Sequence, residues 1–138
     1  MSNNLRFKTS KFIDETYRVS FKFNNKTYFG FKGDTLASAL LANGIHLVGR
    51  SFKYHRPRGI MTSGSEEPNA IIQLHDNSSR TEPNVRATEV EIYEGLVASS
   101  QNCWPSVNFD VGGINNLLSP ILPAGFYYKT FMWPASFW

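Results

Sequence analysis

Alternating apolar and polar positions predict secondary structure in the N-terminal part of the chain. Residues 17–23 alternate in this way, which predicts a half-buried strand. Asn24 and Asn25 follow it as a two-residue turn, because asparagine tolerates the left-handed dihedrals of a tight hairpin. Residues 27–31 alternate again, and Gly33 ends them. The pattern therefore predicts an antiparallel hairpin.

A helix is predicted over residues 36–43. Its apolar residues share one face, Asp34 or Thr35 can cap its first turn, and Gly44 provides a C-terminal stop. Strand, hairpin, strand and helix in this order are the opening of a β-grasp domain. We therefore predict an α+β fold with one main helix on a mixed sheet.

Two further strands are expected after the helix. Residues 70–74 are rich in β-branched side chains, and residues 88–93 alternate until Gly95 ends the pattern. Pro83 and Asn84 extend an irregular region between them. The predicted domain covers residues 17–98.

The two ends of the chain have no such pattern. Residues 1–16 lack periodicity, and we expect a loosely held arm, although its apolar side chains can dock on the domain. Residues 99–138 hold only two charges, Asp110 and Lys129, but nine of the twenty aromatic residues. Prolines limit this segment to one short helix near residues 114–118. We predict an extended aromatic arm that leads to further domains.

Composition narrows the class of protein. The chain has 138 residues, a net charge of +3 and a single cysteine, Cys103, which excludes an internal disulfide and fits a reducing, cytoplasmic setting. No apolar run approaches about 18 residues, so no membrane span is expected. The positive charge is local and does not indicate a general polyanion-binding surface.

A basic loop follows the predicted helix, and no acidic residue occurs from Thr35 to Ser65. Such a loop can bind a phosphate, pair with acidic groups of a partner chain, or stay solvated. Nucleic acid is disfavoured, because the strands lack the paired aromatic signature of an RNA-binding sheet. The candidate cofactor-binding or partner-facing residues are Arg50, Lys53, His55, Arg56 and Arg58.

No catalytic constellation emerges from the remaining polar residues. The three histidines, His46, His55 and His75, lack metal-ligand spacing. Glu66 and Glu67 are adjacent and point to opposite faces of an extended chain, so they make a poor acid–base pair. Cys103 has no basic neighbour in sequence, which indicates an inert thiol. The residues by themselves predict a binding or assembly module.

Several strings together resemble the N-terminal region of the α subunit of heterotetrameric sarcosine oxidase. One of them is Gly49-Arg50-Ser51-Phe52-Lys53-Tyr54-His55-Arg56-Pro57-Arg58-Gly59. The other matching strings are residues 33–37, 40–44, 64–70, 100–102, 104–106, 117–120 and 123–134. In that family the α subunit is several times longer, so the resemblance implies a fragment.

The resemblance also implies a lost metal site. Related dehydrogenases carry a [2Fe–2S] β-grasp domain whose cysteines follow the plant-type spacing. Aligned from Pro57-Arg58-Gly59, three of those positions fall at Thr62, Glu67 and Ala70. None is a thiol. We therefore expect a ferredoxin-like domain without a cluster and without any metal.

The family's activity implies the partners and cofactors of a complete complex. In that family sarcosine is oxidised at FAD, electrons pass through FMN to oxygen, and the one-carbon unit can pass to tetrahydrofolate; the α subunit also carries NAD. The fragment itself is expected to bind no cofactor. We expect an assembly domain that meets the rest of the α subunit and the β, γ and δ subunits. The alternatives are a free-standing ferredoxin-like electron carrier and a nucleic-acid-binding module that uses the basic loop.

Overall fold

The computed structural model describes residue 6, residues 11–76 and residues 80–121. The strands of the main sheet are β1 (Asp14–Phe23), β2 (Lys26–Lys32), β5 (Ile71–His75), β6 (Thr81–Arg86) and β7 (Leu96–Ser100). The remaining elements are helix α1 (Leu36–Ala42), the short strands β3 (Gly49–Arg50) and β4 (Pro57–Arg58), a 3-10 turn (Val111–Gly113) and helix α2 (Ile114–Leu117).

The main sheet has the order β2-β1-β7-β5-β6. β1 and β7 are parallel, whereas the other neighbouring pairs are antiparallel. The predicted α+β fold, with one main helix on a mixed sheet, is confirmed. The core between helix and sheet consists of buried aliphatic and aromatic side chains, among them Phe21, Phe23, Leu36, Leu40, Val48, Ile72 and Leu96.

The first hairpin forms as its sequence predicts. Asn24 and Asn25 have φ angles of 51° and 65°, and Phe23 pairs with Lys26 on the returning strand. Both asparagines therefore adopt the left-handed conformation that a two-residue hairpin turn requires. The predicted helix is confirmed too: the Thr35 hydroxyl caps α1 by accepting a hydrogen bond from the Ser38 amide at 3.1 Å.

The predicted strand over residues 88–93 is wrong. Residues 87–89 form a turn, and the following backbone bonds to the start of α1 rather than to the sheet. The Leu36 amide donates to the Val90 carbonyl at 2.7 Å, and the Ile92 amide donates to the Asp34 carbonyl at 3.0 Å. The first amides of a helix have no intrahelical acceptor, and this segment provides one. The alternation identified inward side chains, not a strand.

The strand that completes the sheet is β7, which the pattern did not predict. Leu96 and Ala98 are buried, and β7 lies between β1 and β5 at the centre of the sheet. Its alanine and serines have low strand propensity, so tertiary pairing decides its conformation. β7 runs to Ser100, while the division of the chain at residues 16/17 and 98/99 stays a prediction.

Pro83 and Asn84 lie inside β6, so the irregular region predicted there is wrong. Ile72 pairs with Val85 and Leu74 with Glu82, which leaves both residues opposite Gln73. This arrangement is a β-bulge, and Asn84 adopts a φ of 61° within it. β6 is an edge strand, where a proline costs no ladder hydrogen bond to a further strand.

The N-terminal segment contacts the domain through Arg6. Its guanidinium donates two hydrogen bonds, of 2.8 and 2.6 Å, to the buried carboxylate of Asp34. Phe12, by contrast, is exposed. The docking considered for Leu5 and Phe7 lies outside the described residues, as do the aromatic residues of the arm beyond 121. The short helix predicted near residues 114–118 is confirmed as α2.

Within the part of the chain that the structure describes, no helix has the length and apolar character needed to cross a membrane.

Candidate functional site

The basic loop, residues 49–59, is a small hairpin made by β3 and β4. Gly49 pairs with Arg58 and Arg50 pairs with Pro57. At its tip, the His55 amide donates to the Ser51 carbonyl at 3.0 Å, and His55 adopts a φ of 53°. The turn brings all five candidate residues onto one hairpin, and their side chains then diverge.

Two of the candidates turn toward a buried carboxylate of the arm, Asp110. His55 Nδ1 lies 2.6 Å from Asp110 Oδ2, and Arg50 Nε lies 3.7 Å from the same oxygen. Arg50 also donates to the Val107 carbonyl at 2.9 Å. Gly112 packs against the imidazole so closely that a Cβ there would lie 2.3 Å from His55 Cε1. The basic loop and the arm are therefore joined around one carboxylate.

The other oxygen of Asp110 bonds to its own segment. Oδ1 accepts the Trp104 amide at 2.9 Å and the Gly112 amide at 3.2 Å. Burial alone would raise the pKa of Asp110, but the hydrogen bonds from Trp104, His55 and Gly112 outweigh it and lower the pKa below its ordinary value. The carboxylate is thus held in its charged form. We name Asp110, His55 and Arg50 the Asp110 junction.

The remaining candidates also contact neighbouring parts of the chain. Arg56 Nε donates to Asn116 Oδ1 at 3.0 Å, and the Lys53 carbonyl accepts from Asn115 Nδ2 at 3.3 Å. Arg58 donates to Asn69 Oδ1 at 2.7 Å. Sequence reasoning considered partners outside the chain and overlooked Asp110. Its one signal was that Asp110 is the only acidic residue after residue 99.

The cluster loop, residues 60–70, follows the basic loop and wraps around the buried side chain of Glu67. Glu67 Oε2 accepts the amides of Met61 at 2.8 Å and Thr62 at 2.6 Å, and the Thr62 hydroxyl at 3.2 Å. Oε1 accepts the amides of Asn69 at 3.0 Å and Ala70 at 3.2 Å. Glu66 is exposed, so the adjacent glutamates have opposite environments, as predicted.

Arg86 at the end of β6 and Thr88 in the following turn hold the cluster loop in place. Arg86 Nε donates to the Glu67 carbonyl at 3.1 Å, and the Thr88 hydroxyl donates to the Gly64 carbonyl at 2.7 Å. The three predicted cluster positions, Thr62, Glu67 and Ala70, thus converge in space. They offer no thiolate, so the residues present do not fit an iron–sulfur cluster.

A cavity of about 710 Å³ is lined by the turn of the first hairpin, residues 44–47, the end of β7 and the start of the arm. His46, His75 and Cys103 contribute to its walls, and His75 Nε2 lies 2.8 Å from the Ser99 hydroxyl. Burial and the nearby Asp110 raise the pKa of Cys103, although Arg50 opposes this, so the thiol is a poor nucleophile, as predicted. Among residues 6, 11–76 and 80–121, no three His, Cys, Asp or Glu side chains form a group suited to a metal ion.

The arm presents large apolar side chains to solvent both before and after Asp110 in the sequence. Trp104 and Phe109 are 72% and 70% exposed, and Leu117 and Ile121 are 79% and 76% exposed. We name these four residues, with the 59%-exposed Ile114, the apolar set. Its members are spread over a segment whose backbone is attached to the domain at Asp110.

Known proteins resemble this chain in sequence and in fold. Sarcosine oxidase subunit alpha from Rhizobium meliloti (strain 1021) is 62% identical over 126 residues, which are 91% of this chain and 13% of that protein. The subunit alpha from Corynebacterium sp. (strain U-96) is 45% identical over 71 residues, 50% of this chain and 7% of that protein. The predicted resemblance to sarcosine oxidase α subunits is confirmed.

A solved structure and a family model agree on the fold. The crystal structure of L-proline dehydrogenase from P. horikoshii matches with a TM-score of 0.50 and 22% identity, over 64% of this chain and 16% of that chain; at this identity it supports the fold alone. The family model described as the 2Fe-2S iron-sulfur cluster binding domain matches residues 16–103. The chain therefore belongs to the family of 2Fe-2S iron-sulfur cluster binding domains, although its cluster loop contains no cysteine.

Proposed function

We propose that the chain is an assembly domain of a sarcosine oxidase α subunit. Its similarity to proteins of that name supports the proposal, and the chain spans only 13% of the length of the Rhizobium meliloti relative. The cluster loop offers no thiolate to hold an iron–sulfur cluster, which argues against the alternative of a ferredoxin-like electron carrier. The domain's contribution is then to bind and orient other parts of the enzyme.

The observation that carries the proposal is the apolar set on an anchored segment. Burying each such side chain is worth about 1.5–3 kcal/mol, so leaving several in water is costly. The contact of Asp110 with His55 attaches this segment to the domain, so the apolar set has a defined position, as an interface requires. Their occupant in this proposal is the remainder of the α subunit, because most of the relative's length lies outside this chain.

In this proposal the catalytic steps take place in the remainder of the α subunit and in the other subunits of the complex. We propose a complex that demethylates sarcosine oxidatively to glycine, with the one-carbon unit released to tetrahydrofolate or as formaldehyde and oxygen reduced to hydrogen peroxide. FAD, FMN and NAD would be held by the remainder of the α subunit and by the β, γ and δ subunits. This chain has no G-x-G-x-x-G fingerprint, which is consistent with that division of labour.

The basic loop is proposed to face a flavin phosphate or an acidic surface of a neighbouring subunit. Arg50 and His55 already serve the Asp110 junction, so the exposed Arg56 is the main candidate for this contact, with Lys53 and Arg58 beside it. Arg56 also lies 4.8 Å from the centre of the Tyr54 ring, which orients its guanidinium. Nothing in the described residues favours nucleic acid as the partner.

The test is assembly of the full-length subunit with its partner subunits. Leu117→Asp combined with Ile121→Asp should lower the yield of the complex at least about tenfold, because charged groups would oppose burial of the apolar set. Tyr93→Asp, at an exposed ring outside the set, is the matched control and should leave the yield unchanged. A complex that forms normally with both aspartates would refute the proposed surface.

A second pair of substitutions tests the basic loop in the same assembly experiment. Arg56→Ala with Arg58→Ala should reduce either the yield of the complex or its flavin content. Unchanged yield and unchanged flavin would remove the basic loop from the proposal while leaving the apolar set untouched. Iron in the purified wild-type domain, seen by metal analysis and visible absorption, would instead support the electron-carrier alternative.

A further inference from the structure

The family of this chain is defined by an iron–sulfur site, and the residues at that site do not fit a cluster. Thiolates hold the irons of such clusters, whereas Thr62, Glu67 and Ala70 occupy the positions predicted for them. The only cysteine, Cys103, lies in the wall of the cavity described above, outside the cluster loop. What fills the centre of the loop instead is the carboxylate of Glu67.

The loop amides converge on that carboxylate from both sides. Met61 and Thr62 precede Glu67 and bond Oε2, whereas Asn69 and Ala70 follow it and bond Oε1. The amides of the two other cluster positions, Thr62 and Ala70, are therefore both donors to Glu67. Successive inward amides of this kind form a concave site that favours an anion.

We propose that the Glu67 carboxylate is an internal anion that replaces the cluster as the centre of the loop. An iron–sulfur cluster accepts hydrogen bonds at its sulfurs, and the carboxylate accepts them at its two oxygens. The loop thereby keeps its inward amides paired without iron. This inference concerns the loop's own structure and does not rest on the proposed assembly function.

The chemistry of the contacts requires an acceptor on both atoms. An ionised carboxylate only accepts hydrogen bonds, whereas a glutamine amide carries one oxygen and one NH₂ donor. Each oxygen of Glu67 faces two backbone amides, so either orientation of a glutamine would place its NH₂ against two N–H groups. Glutamine is therefore a disruptive replacement here in spite of its matching shape.

The charged state of Glu67 agrees with this arrangement. Burial would raise its pKa, but the hydrogen bonds from the amides of Thr62, Asn69, Met61 and Ala70 together lower it below the ordinary value. Removing the side chain beyond Cβ would leave four inward amides around a small space. A one-carbon carboxylate such as formate has the charge and size to occupy it.

The test is hydrogen exchange of residues 61–70 in the full-length protein, compared among wild type, Glu67→Gln, Glu67→Ala and the control Glu66→Gln. Loss of hydrogen bonds to a charged acceptor should speed exchange of these amides about ten- to a hundredfold in both Glu67 variants. Glu66→Gln should exchange as wild type does, since Glu66 is exposed. Added sodium formate, against equal sodium chloride, should slow exchange again in Glu67→Ala only.

Equal exchange in Glu67→Ala and Glu66→Gln would overturn the proposal, and so would formate slowing all four proteins alike. If Glu67→Ala does not fold, Glu67→Asp and Glu67→Asn decide. The aspartate keeps an acceptor-only group one methylene shorter, so it should protect the loop better than the asparagine. Equal protection by the two would overturn the proposal as well.

Discussion

Two buried carboxylates, Glu67 and Asp110, are stabilised in opposite ways. Every side-chain bond to Glu67 comes from its own loop, within six residues along the chain. Asp110 instead bonds to His55, which is 55 positions away, and to nearby amides. The first carboxylate closes a loop upon itself, and the second joins the domain to the arm.

The donors differ in chemistry as well as in distance. Backbone amides can only donate, so the four amides around Glu67 require an acceptor on both atoms of its head group. His55 can present either a proton or a lone pair at Nδ1, depending on its tautomer. The Asp110 junction therefore tolerates a neutral partner that the cluster loop does not.

The largest effect is expected from Asp110→Ala. It leaves His55 and the amides of Trp104 and Gly112 without their acceptor and removes the anion beside Arg50, which costs about 3 kcal/mol of unfolding free energy. Urea denaturation would measure this loss, with Glu82→Ala on the exposed edge strand as the control. A loss below that of the control would mean that the junction does not hold the arm.

An intermediate effect should separate the two carboxylates directly. The asparagine in Asp110→Asn can keep its oxygen on the Trp104 and Gly112 amides and point its NH₂ at a lone pair of His55. A loss of about 1 kcal/mol of unfolding free energy is therefore expected. In Glu67→Gln, either orientation of the amide places its NH₂ against backbone N–H groups. This variant should therefore lose about 2 kcal/mol or more of unfolding free energy. The same urea titration compares them. The reverse ranking would contradict the difference drawn here.

The smallest effect is expected from acid. Because the pKa of Asp110 is lowered on folding, its contribution is complete above the ordinary aspartate pKa, about 3.9, and is lost as pH falls through the lowered value. The groups that face it are the charged guanidinium of Arg50 and the titratable imidazole of His55, with the Cys103 thiol nearby. The stability difference between wild type and Asp110→Asn should shrink as the pH falls below about 4.

A matched pair controls for general acid effects. The difference between wild type and Glu82→Gln should change little over the same range, because Glu82 is exposed. A wild-type advantage over Asp110→Asn that grows as the pH falls below about 4 would have the wrong sign for a depressed carboxyl pKa.

The local features of the fold could be predicted from the sequence. The Asn24–Asn25 turn and helix α1 depend on dihedral preference and capping, which reside in a few adjacent residues. The absence of a cluster required only the count of one cysteine. The basic residues of the loop are visible in the sequence, but what their side chains contact is not.

What failed depended on neighbours distant in sequence. The segment 88–93 alternates as a strand does, yet it serves the first turn of α1 because the sheet's centre is taken by β7. The last three residues of β7, Ala98 to Ser100, are small, and their conformation is set by pairing with β1 and β5 on either side. Pairing of this kind has no local signature.

The amino-acid sequence by itself determined that the cluster loop lacks thiolates and that Thr62, Glu67 and Ala70 occupy the positions expected for the ligands. Only the tertiary structure decided that four amides converge on Glu67 and that Asp110 receives His55 and Arg50. The reason is physical. Composition fixes which groups can bind, whereas burial and chain reversal fix which groups meet.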